Sequence, residues 1–474
     1  MVFDMIVKMF NNLKRKRIRY YLTRSDPESL AKGHDKRILT ALQTACKKSK
    51  AYRKILEEKK IHPRDIKTLD DFKKRIPVIS KDNFFSVFPL NDIIAEHDLP
   101  KVSNFMTSSG FSGKFAFGAG LKNDSGSGRF FVDTALDLLF NTTQVKTFLI
   151  NCTPMGVHVE TSLPLAETSV RSDMAIAMLK SVSPLYEQTI IIVDPYFAKK
   201  LVEEGCEAGI PWKKLGVSLV LGQDWFPESL RHYLASLIEI DQDNDKERMI
   251  LATMGMTELG LNVFHETHET ATIRRMAQKD SHLRKQLFGT EKKACGYLFH
   301  HYPMRFFIEE HADDSLLFTT LSGSTVIPLI RYNSGDCGKL LTYNTLVNIL
   351  NEFHLEHLNP ILKLPLSTMT GRLSNHLITK NGKIFPEDLK LGLYENWDAA
   401  SQTTGYFMLS ADNEVPLVEV QLKPGVIPSG TLCNIYINAF QQYINTDLKI
   451  KLYTYNDFPY GMELNYEKKF MNLK

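Results

Sequence analysis

Between residues 145 and 258 the chain alternates short, nearly continuous apolar runs with longer stretches of helical spacing. The runs "VKTFLINCTP", "EQTIIIVDPY", "GVSLVLGQDW" and "ERMILATMGMTE" are rich in β-branched residues, and each closes in a polar loop. Between them, "DPYFAKKLVEEGCEAG" and "PESLRHYLASLIEI" place apolar residues three and four apart. Strands alternating with helices predict a mainly parallel sheet, with ligands beyond the carboxyl ends of its strands, where the polar loops fall. Upstream, from Asp26 to about Lys81, the pattern is helical with proline stops. Residues 268–289, "HETATIRRMAQKDSHLRKQLFG", read as a charged, exposed helix. After residue 370 the runs "GYFMLSADNEVPLVEVQLKPG", "TLCNIYINAF" and "DLKIKLYTY" predict a compact α+β unit. The expected fold is therefore α/β: a large body over 1–370 with mainly parallel sheets flanked by helices, and a small hinged α+β domain over 371–474.

The first residues, "MVFDMIVKMFNNLKRKRIRYYLTR", put Val2, Met5, Ile6, Met9, Phe10 and Leu13 on one helical stripe ahead of a basic run. With the basic end after the apolar part and no small-residue cleavage site, a signal peptide is not expected. A helix packed on its own domain is the favoured reading; weak peripheral contact with a membrane through this helix is the alternative. No apolar run reaches the ~20 residues needed to span a bilayer.

Composition narrows this little further. The formal net charge is +4 over 474 residues, so no nucleic acid or acidic polymer is expected as a partner. Six scattered cysteines with no Cys-x-x-Cys pair suit a reducing compartment, which makes a cytoplasmic location the expectation.

The stretch "MTSSGFSGK" at 106–114 is the first candidate for chemistry. Two residues separate Gly110 from Gly113, not the four of an NTPase P-loop. Gly126 and Gly128 do not continue into a dinucleotide fingerprint, because Phe131 stands where its third glycine would be. The loop still favours an anion: glycines let backbone N–H groups converge, Thr107, Ser108, Ser109 and Ser112 add hydroxyl donors, and Lys114 adds charge. "FHETHE" at 264–269 has its histidines three apart, not the four of a zinc helix, so zinc is not expected.

Four further stretches follow in order: "LGQDW" at 221–225, "MGMTELG" at 254–260, "RYNSGD" at 331–336 and "TGRLSNHLITKNGKIFPEDLK" at 370–390. Together with the loop, and with "AYRKIL" and "FKKRIPVISKDNF" upstream, this ordered set resembles the acyl-adenylate-forming enzymes, most of all their phenylacetate–CoA ligase branch. Each motif alone is a common turn; the order carries the resemblance.

The resemblance implies ATP-dependent activation of an aryl or fatty carboxylic acid to an acyl-AMP, then transfer to a thiol. CoA is the expected acceptor; the phosphopantetheine of an acyl carrier protein or a protein cysteine are alternatives. A nucleotide-binding module without turnover is the reading outside catalysis. In this scheme Ser108, Ser109, Gly110, Ser112, Gly113 and Lys114 hold the departing pyrophosphate. Thr257 bonds the α-phosphate, and Glu258 is the ligand of Mg²⁺. Asp336, assisted by Arg372, holds the ribose hydroxyls, while Gly222, Gln223, Asp224, Gly255 and Met256 line the adenine slot. Glu266 and its neighbours shape the acyl side of the pocket. A lysine on the small domain serves adenylation; Lys469 is favoured over Lys468 because burial of Phe470 would fix its direction. The chain departs from the family at Met254 (usually Tyr), Phe111 and Ser112 (usually two Thr) and Ser374 (often Asp), and its C-terminal lysines are displaced.

Overall fold

The computed structural model describes the chain apart from residues 1, 25, 31–32, 95, 109–114, 122–127, 291, 322–325, 373–374, 413–414, 445, 461–465, 468–469 and 471. Among the described residues the largest sheet has nine strands. Its first half is parallel: Leu165–Glu167, Thr147–Cys152, Gln188–Val193, Val217–Leu221 and Ile250–Met256 lie side by side in that order. The last four are the apolar runs of the sequence, and most of their residues are buried because helices cover both faces. Leu149, Ile190 and Val220 meet Val132, Leu136 and Phe140 of the helix Gly128–Phe140. Their neighbours Ile150, Ile191 and Leu219 share a core with the helices Ser172–Ser181 and Pro195–Glu207.

Beyond Ile250–Met256 the pairing turns antiparallel through Gly260–His265, Tyr297–His301, Leu366–Met369 and Leu340–Leu341. Within this sheet, parallel pairing is thus confined to the region where strands and helices alternate. A second sheet sets Ile79–Ser80 parallel to Tyr332–Cys337, which pairs antiparallel with Ser315–Thr320 and with Gly371–Arg372.

Residues 268–289 differ from expectation. They form two helices, His268–Lys279 and Ser281–Phe288, parted at Asp280, whose extended backbone and carboxylate cap the second. They are not an exposed arm: Ile273, Ala277, Leu283, Leu287 and Phe288 build a core with Leu298, Leu346 and Leu350. The many charges of this segment gave it the pattern of a solvated surface, yet Arg274 is wholly buried.

The N-terminal helix Val2–Arg24 is docked on the body, with Ile18 and Leu22 packed near Tyr302 and Leu364. Arg15 pairs with the buried Asp133 at 2.6 Å and Arg19 lies 3.7 Å from Asp137. Part of the basic run is therefore neutralised within the protein. The side chains of Val2, Met5, Ile6, Met9 and Phe10 lie outside the described residues. No helix among the described residues is long and apolar enough to cross a membrane.

The C-terminal part is α+β. The hairpin Leu377–Thr379/Gly382–Ile384 leads to the helix Pro386–Glu395 and the antiparallel pair Thr403–Asp412/Val415–Leu422; Lys449–Tyr453 adds a parallel strand. Asn472 and Lys474 run beside Leu409 as a last edge. This part shares one continuous core with the body. Buried Lys199 donates to the Thr403 carbonyl at 2.7 Å, and Ser229 to that of Leu391 at 2.9 Å. At the expected hinge Gly371 has φ 108°, and a Cβ there would stand 2.8 Å from both the Lys292 ammonium and the Glu387 carboxylate, so glycine is required. Lys292 and Glu387 are themselves a buried ion pair at 2.9 Å.

Candidate active site

The loop of the sequence motif joins two strands, Val102–Thr107 and Phe117–Leu121. Residues 109–114, and with them Ser109, Gly110, Ser112, Gly113 and Lys114, lie outside the described residues. Ser108 closes the loop's neck: its N–H donates to the Ala116 carbonyl and its Oγ accepts from the Ala116 N–H, both at 2.9 Å. The ammonium of Lys81 donates to the same Oγ at 3.3 Å.

The hairpin lies directly against the turn after Ile250–Met256. A Cβ on Gly118 would fall 1.9 Å from the Thr257 carbonyl, and the Thr257 hydroxyl donates to the Thr107 carbonyl at 3.4 Å. Next to it, half-buried Glu258 accepts the Tyr332 hydroxyl at 2.6 Å. Burial, and then the Glu258 carboxylate, push the Tyr332 hydroxyl well above its usual range, so it remains a donor.

Tyr332 begins the strand that carries Asp336. The buried Asp336 carboxylate accepts from the Ser334 hydroxyl at 2.9 Å and from Arg372 Nε at 3.5 Å. Asp336 and Arg372 are also register partners across the second sheet. One short strand thus links the Thr-Glu turn, the Ser-Gly-Asp turn and the Gly-Arg stretch.

The remaining candidates lie at the carboxyl ends of the parallel strands. Gly222 abuts Thr253, where a Cβ would meet the threonine methyl at 3.3 Å, and Gln223 sits at φ 73°. Gly255 is equally crowded, with the Gly260 carbonyl 3.1 Å from an added Cβ; Met256 pairs with Gly260 and is buried. Asp224 turns toward the C-terminal part, 3.4 Å from the Lys390 ammonium. Burial and the nearby Asp224 push the Asp194 carboxyl up to about 7.

No family model and no curated protein matches the chain. Solved structures do. 2-Hydroxyisobutyryl-CoA ligase in the postadenylation state, in complex with R3-HIB-AMP, superposes with a TM-score of 0.63 at 13% identity, covering 92% of this chain and 88% of that one. The same ligase with 2-HIB-AMP and CoA in the thioesterification state gives 0.51 at 14% identity, over 93% and 89%. The chain has the adenylate-forming ligase fold.

Within the adenylate-forming fold one expectation is overturned. Glu266 does not shape an acyl pocket. It is wholly buried and accepts from Arg231 Nη2 at 2.8 and 3.0 Å and from the Ala252 N–H at 2.7 Å. Arg274, 2.8 Å from Glu228, completes the network. Its donors come from a helix, a strand and a second helix, so it ties the structure together. Cys295 and Cys337 are poor nucleophiles, since burial pushes their thiols up to about 12 and about 11. Lys468 and Lys469 lie outside the described residues; Phe470 beside them is buried against Tyr406 and Phe458.

Two residues of the site were overlooked in the sequence. Tyr332 stands in the quoted "RYNSGD" but had no role until its hydroxyl met Glu258. Lys81 lies in "FKKRIPVISKDNF" and supplies the loop neck with a cation from a separate segment of the chain.

Proposed function

We propose that the protein activates a carboxylic acid with ATP, forming an acyl-AMP and pyrophosphate, and passes the acyl group to a thiol, with CoA as the acceptor. The observation that carries this reading is the convergence on the strand Tyr332–Cys337: Tyr332 holds Glu258, and Asp336 pairs with Arg372. Carboxylates for a metal–phosphate contact and for a ribose are thereby brought into one site beside a hydroxyl-rich loop.

In this reading the segment 108–114 receives pyrophosphate through its backbone and the hydroxyls of Ser108, Ser109 and Ser112, with Lys114 and Lys81 balancing its charge. Thr257 bonds the α-phosphate. Mg²⁺ keeps several waters and takes one or two protein carboxylates plus substrate phosphates, and Glu258, one carboxylate with a single neutral partner among the described residues, fits that requirement. When bound, the ion would neutralise phosphate charge. Asp336 accepts from the ribose hydroxyls while Arg372 holds it in place. The backbone at Gly222, Gln223, Gly255 and Met256, with Asp224 behind it, frames the adenine. The C-terminal unit, 371–474, brings Lys469 for adenylation and withdraws it for thioester formation. Transfer to Cys152, Cys295 or Cys337 of this chain is disfavoured, since burial raises each of these thiols.

Exchange of labelled pyrophosphate into ATP, dependent on an added acid, tests the reading. Exchange with at least one acid, reduced in Lys114→Ala on the order of 10²–10³-fold at unchanged thermal midpoint, is expected. ATP binding without exchange for any acid would leave only a binding module. CoA and a phosphopantetheinylated carrier, offered in parallel, distinguish the acceptors.

A further inference from the structure

The strand Gly260–His265 leaves the site immediately after the Glu258 turn, and the helix Gly128–Phe140 packs along it. Leu261 near its start packs with the core that includes Val132 and Leu136 of that helix. The wall beyond is polar. A Cβ on Gly260 would stand 3.9 Å from Arg305 Nη2. The Arg305 guanidinium lies over the Phe131 ring at 4.3 Å, and Phe131 is 6.4 Å from the ring of Tyr302. Tyr302 in turn stacks on His265 at 5.3 Å. His300 faces His265 in register across the sheet.

His265 is unusual, as is its register partner His300, whose ring nitrogens are also unpaired among the described residues. His265 is 2% exposed, and among the described residues neither ring nitrogen has a hydrogen-bond partner. Burial, then the charge of Arg305, pull it down to about 4, so the ring is neutral and offers one donor and one acceptor. Folded proteins pair nearly all such buried groups, with protein, with water or with a ligand. No three His, Cys, Asp or Glu side chains among the described residues are grouped to hold a metal, so His265 is not one corner of such a set. A pocket built for a plain hydrocarbon chain gains nothing from His265, whose unpaired ring nitrogens must then be desolvated without return.

We propose that His265 reads a second oxygen function, a hydroxyl or a carboxylate, on the part of the acid substrate remote from the carboxyl that is activated. The proposal rests on the adenylation reading above and deepens it. The acid lies along the strand from Glu258 toward His265, beneath the helix Gly128–Phe140, with Arg305 and Tyr302 beside it. A hydroxyl satisfies both ring nitrogens in turn; a carboxylate also takes charge from Arg305. Sites that hydrogen-bond a substrate group discriminate strongly against analogues lacking it, since their own polar groups are then left unpaired.

The experiment is acid-dependent pyrophosphate exchange with matched series: saturated monocarboxylic acids, ω-hydroxy acids and dicarboxylic acids of equal length. The wild type is expected to favour oxygenated acids at least tenfold in kcat/KM. His265→Leu should lower that preference ratio at least tenfold, and His265→Gln, which keeps a donor and an acceptor, should recover part of it. Equal use of plain and oxygenated acids by the wild type overturns the proposal. So does an unchanged ratio in His265→Leu, including a variant that is merely more stable, which would show that the site holds only water. Thermal shifts with each acid beside a non-hydrolysable ATP analogue separate this from failure of the adenylation reading. Shifts specific to oxygenated acids in a protein without exchange uphold the His265 site while the adenylation reading falls. No selective shift and no exchange overturns both.

Discussion

Glu258 and Glu266 stand at opposite ends of one strand, and their surroundings are opposite in kind. Glu266 is saturated: two contacts from Arg231, a backbone N–H, and Arg274 nearby, all without solvent. Glu258 is half-buried and, among the described residues, accepts one hydrogen bond, from a neutral tyrosine at 2.6 Å. A carboxylate whose bonds are all made by the protein has nothing left for a ligand and serves the architecture. A carboxylate with one neutral partner at the mouth of a loop keeps oxygen lone pairs for a substrate or ion. The contrast teaches that a charged motif should be judged by how completely the fold satisfies it.

The comparison breaks first at Glu266. Glu266→Ala leaves Arg231 and Arg274 buried with half their counter-charge, and a loss of about 3–5 kcal/mol is expected in urea unfolding. A variant of parental stability that has lost acid binding would reverse the assignment. Glu258→Gln should do the opposite: an unchanged thermal midpoint with exchange slowed on the order of 10²–10³-fold, about 3–4 kcal/mol of transition-state stabilisation. Asp336→Ala should raise the KM for ATP about tenfold to a hundredfold, reflecting about 1–3 kcal/mol for ribose hydroxyls left unpaired. ATP binding as tight as the parent's would remove Asp336 from the site.

Asp194 offers an intermediate case, a buried carboxyl with a second carboxylate nearby. Its folded pKa of about 7 lies above the ~3.9 of an unfolded aspartate, so the native state keeps a proton that the unfolded chain releases. Between those values stability declines as pH rises, and above about 7 the deficit stays constant. Asp194→Asn preserves the cap on Tyr196 and Phe197 and should remove the deficit. Its stability relative to the parent should rise as pH climbs from 4 to about 7 and level off above that. A difference independent of pH would show that Asp194 is ionised in the fold. The smallest effect belongs to Tyr332→Phe, which removes one hydrogen bond from Glu258. A change of about 0.5–1.5 kcal/mol, read as a few-fold loss of exchange at nearly constant stability, is expected.

Much of the site was legible because its residues are grouped in short motifs. Thr257 with Glu258, Asp336, Arg372 and Ser108 were named from sequence, and the structure brings them to one region. Their partners were not. Lys81 reaches Ser108 across 27 positions, and Tyr332 reaches Glu258 across 74. The misreading of residues 268–289 has the same origin. Arg274 counts as a surface residue in any pattern of polarity, and only Glu228 and Glu266, from elsewhere in the chain, let it be buried. Glu266 was given to the pocket for want of those arginines.

By itself the sequence determined the strands between Thr147 and Ala252, because a strand covered on both faces must be apolar at every position, and that requirement is local. It also determined the order of the motifs and hence the kind of chemistry to look for. Only the tertiary structure decided which acidic groups are architecture and which remain open, how the C-terminal unit docks through Lys199 and Lys390, and that His265 is buried with no hydrogen-bond partner among the described residues. Each of these depends on whether a charge or a hydrogen bond is answered by a residue far along the chain. Burial leaves its mark in the residues that are buried; the partner that makes burial of a polar group tolerable leaves none beside it.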